Sequence, residues 1–237
     1  FKSKQQDAQT NRLMGRPSLP LISRSATIEG LKVVFARPDR PLTTWEGDLN
    51  QSIENDQVVL AIDSALNNTP LAGSFSLSSV SELLALRKVA LQGRMNFGEV
   101  IFSSRADFVD LLAPSQPTIR MDIEGPSIEY LTDLLGIDRF STGPLDVELE
   151  LARFSGNTRI NVNGEVGEFA LVVAGTLDHI LNPQVGHLGV SISGPDASRV
   201  ANMFTSASIP EVPFSVAARV DRNGPTLSVE GARVNVG

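Results

Sequence analysis

Residues 145–151 read Leu-Asp-Val-Glu-Leu-Glu-Leu, and this stretch decides the fold class. Every second side chain is aliphatic, and each side chain between is a carboxylate. Because successive side chains of a strand point to opposite faces, such alternation is typical of a β-strand with one apolar and one solvated face. The alternation resumes in residues 158–163 after a turn at Ser155-Gly156-Asn157, so the sequence predicts an antiparallel hairpin here.

Alternation of this kind recurs from Ala26 to the end of the chain. A second hairpin is predicted around Asn223-Gly224-Pro225, between strands at residues 214–220 and 227–230. Residues 169–174 are apolar on both faces. This pattern indicates either a strand covered on both sides or one whose second face lines an apolar channel. Less regular strands are predicted at residues 31–35, 58–62, 71–77, 89–95, 100–102 and 118–123, and short helices at residues 80–86, 107–112, 127–136 and 197–204.

The composition narrows the functional classes. The chain has 27 acidic and 20 basic residues, with a net charge of -7 and no stripe of Lys and Arg, so no nucleic-acid partner is expected. It has no cysteine, which excludes disulfides and thiol chemistry. No stretch approaches the roughly 20 apolar residues of a membrane helix. The first residue is Phe1 rather than Met, and we expect a segment of a longer protein with any signal or anchor upstream.

The chain also contains an internal repeat with a period near 69 residues. Ile-Glu-Gly-Pro at residues 123–126 is matched by Ile-Ser-Gly-Pro at residues 192–195. The same offset aligns Leu131 with Val200, Leu134 with Met203, Pro144 with Pro213, Leu145 with Phe214 and Val147 with Val216. Each unit reads as a strand, a Gly-Pro turn, a short helix, a proline-ended loop and a hairpin. So few strands cannot close a core alone, and neighbouring units must stack.

These patterns predict a mainly β fold, an elongated antiparallel sheet that is built from repeats and has short α-helices between strands. Residues 1–25 are predicted to be a linker or edge segment, and residues 26–237 a repeated β-sheet segment. Within it, the repeat units are expected at about residues 119–187 and 188–237, with a looser unit at residues 26–118.

A further set of short motifs lies within the second unit. Ile-Ser-Gly-Pro-Asp at residues 192–196 precedes an apolar helix, and Ile-Pro-x-x-Pro-Phe follows at residues 209–214. Asn-Gly at residues 223–224 and Leu-x-Val-x-Gly at residues 227–231 complete the succession. It resembles the AsmA-like proteins of Gram-negative envelopes. The resemblance covers residues 89–237 well and residues 26–88 loosely, and it is carried by small and apolar residues rather than by a catalytic signature.

The resemblance implies a fold and a function. AsmA-like proteins are similar to bridge-like lipid-transfer proteins, in which a long curved sheet forms a trough with an apolar interior. By this resemblance we expect a trough-like sheet in the periplasm, as part of a protein anchored in the inner membrane. The resemblance also implies that the protein binds phospholipids and contributes to outer-membrane biogenesis. Its expected partners are the inner membrane and other envelope proteins.

The strand pattern supplies candidate groove residues. A sheet face that is aliphatic throughout can hold a lipid tail, because each buried methylene gains about 0.8 kcal/mol without specific contacts. The alternative is an ordinary core filled between two sheets, as in a structural scaffold of the envelope without lipid cargo. The candidate lipid-binding residues are Val147, Leu149, Leu151, Ile160, Val162, Phe169, Leu171, Val173, Val216, Val220, Leu227 and Val229.

No catalytic or cofactor site is expected. His179 and His187, with Asp178 nearby, lack a further ligand at a recognised metal spacing and are interpreted as exposed turn residues. Asp146, Glu148 and Glu150 are interpreted as a solvated strand face rather than a calcium or acid–base site. The isolated Trp45 and Tyr130 form no stacking platform. We therefore expect a protein that is not an enzyme and binds no metal.

Overall fold

The fold is a single open sheet. The computed structural model of the chain describes residues 24–37, 40–84, 89–108, 118–129, 131, 143–154, 156–179, 183–201 and 210–237. Its 13 strands are antiparallel and lie in chain order, so each strand pairs with its sequence neighbours. The sheet is not closed into a barrel. The prediction of a mainly β, elongated and curved antiparallel sheet is confirmed.

The strands are long and the helices short. The strands are β1 (Ser25–Arg37), β2 (Arg40–Glu54), β3 (Gln57–Leu66), β4 (Thr69–Ser79), β5 (Val89–Phe97), β6 (Val100–Phe108), β7 (Thr118–Gly125), β8 (Leu145–Phe154), β9 (Asn157–Val166), β10 (Phe169–Leu177), β11 (Val185–Gly194), β12 (Phe214–Asn223) and β13 (Thr226–Val236). Helix α1 (Val80–Leu84) joins β4 to β5, and α2 (Ala197–Ala201) joins β11 to β12. Glu129 and Leu131, after β7, are helical, and the Leu131 N–H donates to the Ile128 carbonyl at 2.9 Å.

Strand pairing assigns each residue to one of two faces. Directly paired residues share a face, and Leu149 of β8 pairs with Val162 of β9, which pairs with Val173 of β10. We call the side that carries these residues the apolar face. The polar face is the opposite side, which carries Glu148 and its partner Asn163.

The tightest packing lies at strand ends of the apolar face, in three clusters. Each cluster takes part of its packing from a helical segment: Leu83 of α1, Ile128 and Leu131 of the turn after β7, or Ala197 of α2. Such short helices are not stable alone in water, and packing on the sheet stabilises them. The buried members of the clusters are Val100, Leu145, Val147 and Val166, then Val58, Leu83 and Val89, then Phe169, Ala197 and Phe214.

Helix α2 is fixed by polar contacts as well. Asp196 caps its N-terminus, accepting from the Ser198 N–H at 2.9 Å and the Ser198 hydroxyl at 2.6 Å. The Ser198 hydroxyl bond is the largest cause of a pKa of Asp196 below its usual value, and Arg199 adds to it. Arg199 also bridges to Glu168 in the β9–β10 turn at 2.8 Å, which ties the helix to the neighbouring hairpin.

Most local predictions match the structure. Each predicted strand lies within an observed one, and both predicted hairpin turns occur, with Gly156 and Gly224 at φ of +85° and +58°. Strand β2 was not predicted. The helix expected at residues 107–112 is wrong at 107–108, which belong to β6, while residues 109–112 lie outside the described residues. Residues 1–23 of the expected linker also lie outside them, and the division into domains and repeat units stays a prediction.

The repeat-matched residues occupy equivalent places in the sheet. Gly125 ends β7 and Gly194 ends β11, and a helical segment follows each strand. Leu145 and Phe214 begin the next strands, β8 and β12, and both are buried.

Candidate functional site

All the candidate groove residues lie on the apolar face. Leu171 pairs with Ile192, which pairs with Val216, and Leu151 pairs with Ile160 in the adjacent hairpin. In β13, Val229 pairs with Val220. The structure therefore brings the predicted residues of β8, β9, β10, β12 and β13 onto one continuous surface.

The exposure of these residues varies along the face. Phe169 is 1% exposed, and Val147 and Leu151 are also buried. Most of the others are half-buried, including Leu149, Ile160, Val162, Leu171, Val173, Val216 and Val220. On the last strand Leu227 and Val229 are 63% and 60% exposed. The apolar face thus combines packed strand ends with a half-buried middle.

Sequence reasoning missed part of this surface. Ile119, Met121 and Ile123 of β7 pair with Leu151, Leu149 and Val147 and extend the apolar face to the next strand. Leu188, Val190 and Ile192 of β11 bridge β10 to β12 in the same way. Both groups alternate at period two in the sequence, and that signal could have placed them on this face.

At two glycines of the apolar face, the backbone of the neighbouring strand lies very close. At Gly164, a Cβ would collide with the Asp146 carbonyl oxygen and lie 2.6 Å from the Val147 Cα. At Gly175 it would collide with the His187 carbonyl oxygen. Because Gly164 and Gly175 both lie on the apolar face, the neighbouring strands rise over that face at these positions. A glycine is required where two backbones approach so closely, and such positions let a sheet bend sharply.

Strand β10 presents different surfaces on its two sides. Phe169, Leu171 and Val173 lie on the apolar face, whereas Val172, on the polar face, is 45% exposed. The interpretation of residues 169–174 as a strand covered on both sides is therefore wrong. The second side of β10 is an open patch of small and apolar side chains.

The polar face carries charge networks in contact with water. Arg120 lies 3.4 Å from Glu148 and 3.6 Å from Glu150, with Arg120 and Glu148 exposed and Glu150 half-buried. This matches the interpretation of the β8 carboxylates as a solvated strand face. Surface ion pairs of this kind contribute little to stability, about 0–1 kcal/mol each.

Shallow concavities also lie on the polar face. One of about 480 Å³ spans β3 to β7, and its polar lining residues include Ser74, Ser76, Gln92, Arg94, Arg105 and Arg120. Another, of about 910 Å³, spans β1 to β3 and includes Lys32, Glu46 and Asp48. Hydroxyl, amide and charged linings suit polar ligands rather than acyl chains.

The histidines are apart from each other. His179 follows β10, where burial alone would raise the pKa of Asp178 but hydrogen bonds from backbone N–H groups, including those of His179 and Gln184, lower it on balance. His187 lies within β11 rather than in a turn, so that part of the interpretation is wrong. Its Nδ1 is 2.6 Å from the Asp221 carboxylate on β12. Among the residues described, no group of three or more His, Cys, Asp or Glu side chains could hold a metal ion.

Of the two isolated aromatic residues, the structure describes only Trp45. Trp45 belongs to β2 and lies on the apolar face between its partners Val33 and Leu66. Tyr130 lies outside the described residues.

Over the described part of the chain, no helix is both long and apolar enough to cross a membrane. Comparison of the chain with protein-family models, with curated proteins and with solved structures finds no match.

Proposed function

We propose that the chain is a periplasmic segment of an AsmA-like protein, anchored in the inner membrane by a part outside these 237 residues. Its apolar face binds phospholipid acyl chains and supports lipid transport toward the outer membrane. The observation that carries this proposal is one mainly aliphatic sheet face that continues from strand to strand, while the other face is mostly polar. The proposal includes no catalytic step and no cofactor.

The dimensions of the face suit lipid tails. The 12 gaps between the 13 strands, at about 4.8 Å each, give a contour of roughly 58 Å. One leaflet of a bilayer has a hydrocarbon depth of about 15 Å, half of the roughly 30 Å core. Several tails could therefore lie in sequence along the sheet, each gaining about 0.8 kcal/mol per buried methylene. The charged head groups would remain in water.

One observation favours a second candidate, an envelope scaffold without lipid cargo. The three clusters with helical segments bury strand ends of the apolar face, as in a filled core. The two functions make opposite demands on the middle of the face. A lipid conduit leaves Leu149, Val162 and Leu171 accessible to a tail, whereas a scaffold covers them with side chains.

The test uses photo-crosslinking with matched positions on the two faces. A crosslinking amino acid at Leu171 lies on the apolar face, and one at Val172, the next residue of the same strand, lies on the polar face. In liposomes of phosphatidylethanolamine and phosphatidylglycerol, lipid adducts are expected at Leu171 and at Val162, but not at Val172. Native mass spectrometry of the purified chain should show bound phospholipid.

The outcome that contradicts the conduit is equally clear. If no phospholipid co-purifies and adducts are equally rare on both faces, the apolar face is closed. The variants Leu171→Glu and Val172→Glu provide a second test that distinguishes a lipid conduit from a scaffold. A conduit predicts that Leu171→Glu reduces lipid capture with the fold retained, whereas a filled core predicts unfolding first. Val172→Glu should do neither.

A further inference from the structure

Three arginine side chains lie together on the polar face, in the concavity of about 480 Å³. They are Arg94 of β5, Arg105 of β6 and Arg120 of β7, one from each of three adjacent strands of the sheet interior. We call them the arginine cluster. Strand pairing brings the three together, because no basic stretch of the sequence contains more than one of them.

The three guanidinium groups are close enough to reach one ligand. Arg105 has Arg120 as its direct cross-strand partner on one side and Arg94 as its diagonal neighbour on the other. Directly opposed residues have Cβ atoms about 4.5–5.5 Å apart, and diagonal neighbours lie about 7–8 Å apart, within reach of long side chains. All three arginines can therefore contact a single small molecule.

The cluster carries charge that the described residues do not neutralise. Like charges directly opposite each other destabilise a sheet, and Arg105 and Arg120 are placed in this way. Arg120 has ion-pair partners on β8 at 3.4 and 3.6 Å. Neither Arg94 nor Arg105 has an ion pair with another described residue. Proteins depart from the rules of stability chiefly at functional sites, so the unfavourable pair indicates an anionic ligand.

The rest of the lining suits a phosphate group. Ser74, Ser103 and Gln92 add neutral hydrogen-bond donors. Among the described lining residues Asp122 alone carries a carboxylate, which leaves an excess of two positive charges, three arginines against one aspartate. A phosphate monoester carries a charge of about −1.5 to −2 at pH 7. Guanidinium groups bind phosphate oxygens in pairs, and this geometry favours phosphate over a simple point charge.

The surroundings restrict the ligand to a compact anion. Beyond the cluster on the polar face, Glu124, Asp146 and Glu165 pair across β7, β8 and β9 in a row of carboxylates. An extended polyanion such as a nucleic acid would meet this row and be repelled. A single phosphate group can contact the arginines without meeting it.

We propose that the arginine cluster binds a phosphate group, carried by a small soluble molecule or by a lipid head group. The site lies on the face opposite the proposed path of the acyl chains and does not depend on that path. The experiment below measures phosphate binding at the cluster alone, so its failure would leave the lipid proposal as it stands.

Isothermal titration calorimetry of the 237-residue chain with inorganic phosphate tests the site. At about pH 7.5 phosphate is mostly dianionic, and we expect a dissociation constant of about 1 mM or lower. Arg105→Gln and Arg94→Gln should each weaken binding by about tenfold or more, since each removes charge-assisted hydrogen bonds. Both side chains are exposed, so neither substitution disturbs packing.

The matched control is Arg219→Gln, the same charge change on the polar face of β12, six strands from Arg105. In about 0.1 M salt the Debye length is only about 10 Å, so this variant should bind phosphate within about twofold of the wild type. Without phosphate, Arg105→Gln should also be at least as thermally stable as the wild type, because it removes a like-charge pair. Thermal unfolding measures this and verifies that the variant folds.

A second titration distinguishes the two sources of the phosphate group. Dihexanoyl phosphatidic acid, used as a dissolved monomer, should bind about tenfold more tightly than inorganic phosphate if the natural ligand is a lipid head group. Equal or weaker binding indicates a soluble phosphate compound. In both cases Arg105→Gln must weaken the binding.

Three results would overturn the assignment. One is a dissociation constant for inorganic phosphate above about 10 mM together with lipid binding that Arg105→Gln leaves unchanged, since such a lipid would occupy the apolar face. Another is no measurable binding of either molecule. The third is an equal loss of affinity in Arg105→Gln and Arg219→Gln, which would indicate a general effect of net charge.

Discussion

Thr158 is a polar residue in a place where aliphatic residues are expected. Its side chain is 0% exposed at a strand end of the apolar face, and its hydroxyl has no hydrogen-bond partner among the described residues. A buried polar group without a partner costs about 1–3 kcal/mol. Thr158→Val keeps the shape and removes the hydroxyl, so we expect the free energy of unfolding to rise by about 1 kcal/mol.

Urea denaturation of the wild type, Thr158→Val and Thr158→Ser measures this change. The serine variant keeps the hydroxyl and loses a methyl group, so it should be less stable than the wild type. A valine variant less stable than the wild type would mean that the hydroxyl is hydrogen-bonded in the folded protein.

Gly175 tests, at a single position, whether close approach of a neighbouring backbone requires a glycine. A Cβ on residue 175 would lie only 2.8 Å from the Leu188 Cα and closer still to the His187 carbonyl oxygen. The position therefore requires glycine. Gly175→Ala should therefore destabilise the sheet by about 1–3 kcal/mol, the usual cost of overpacking. The matched control is Gly189→Ala, one strand away on the polar face, where the nearest atom would lie at an ordinary 3.6 Å.

Thermal unfolding of both variants gives the comparison. The expected result is a clear loss in Tm for Gly175→Ala and almost none for Gly189→Ala. Equal losses would mean that strand propensity, rather than backbone approach, explains the glycine.

At the scale of elements, α2 depends on a titratable cap. Because the folded-state pKa of Asp196 is lowered, mainly by the Ser198 hydroxyl, the cap stabilises the fold fully at neutral pH. That contribution should disappear as the pH falls below about 4, through the lowered pKa. Asp196→Asn removes the charge at every pH.

The Tm difference between the wild type and Asp196→Asn should therefore be largest near pH 7 and shrink toward zero in strong acid. Asp146→Asn, an equal change on an exposed strand position, serves as the control and should show no comparable trend. A difference that stays constant with pH would mean that the carboxylate charge does not stabilise the helix.

The strands show which elements a sequence can predict. Strands β8 and β9 were predicted because their apolar-face positions are all aliphatic from residue 145 to 151 and again at Ile160 and Val162. Strand β2 was missed because its apolar-face positions include Gly47 and Gln51, which interrupt the period-two pattern. Strand β2 forms because it pairs with β1 on one side and β3 on the other. Its own sequence does not show this pairing.

For the candidate site too, the sequence predicted part of the arrangement and strand pairing determined the rest. Alternation alone placed the aliphatic residues of β8, β9 and β12 on one face, because side-chain direction in a strand follows from period two. Alternation could not show which side of β10 belongs to that face, since both sides are apolar. Register decides it, and register comes from the hairpin turns and the neighbouring strands.

At the scale of the whole molecule, the two outer strands have half the backbone pairing of the interior ones. Their outward N–H groups have no ladder partner among the described strands, so we expect faster amide exchange along one side of β1 and β13 than from β3 to β11. Hydrogen exchange read by mass spectrometry should show this gradient in a dilute sample. Uniform protection from end to end would mean that the sheet opens only as one unit.

The strict chain order of the strands also has a consequence for biosynthesis. As the chain emerges, each strand of the described sheet finds its one earlier partner already made, the strand just before it. No pairing waits for a distant segment, so loop closure costs little at every step. The described sheet can therefore form strand by strand in chain order, and its length can change over evolution by whole hairpins without disturbing the strands already in place.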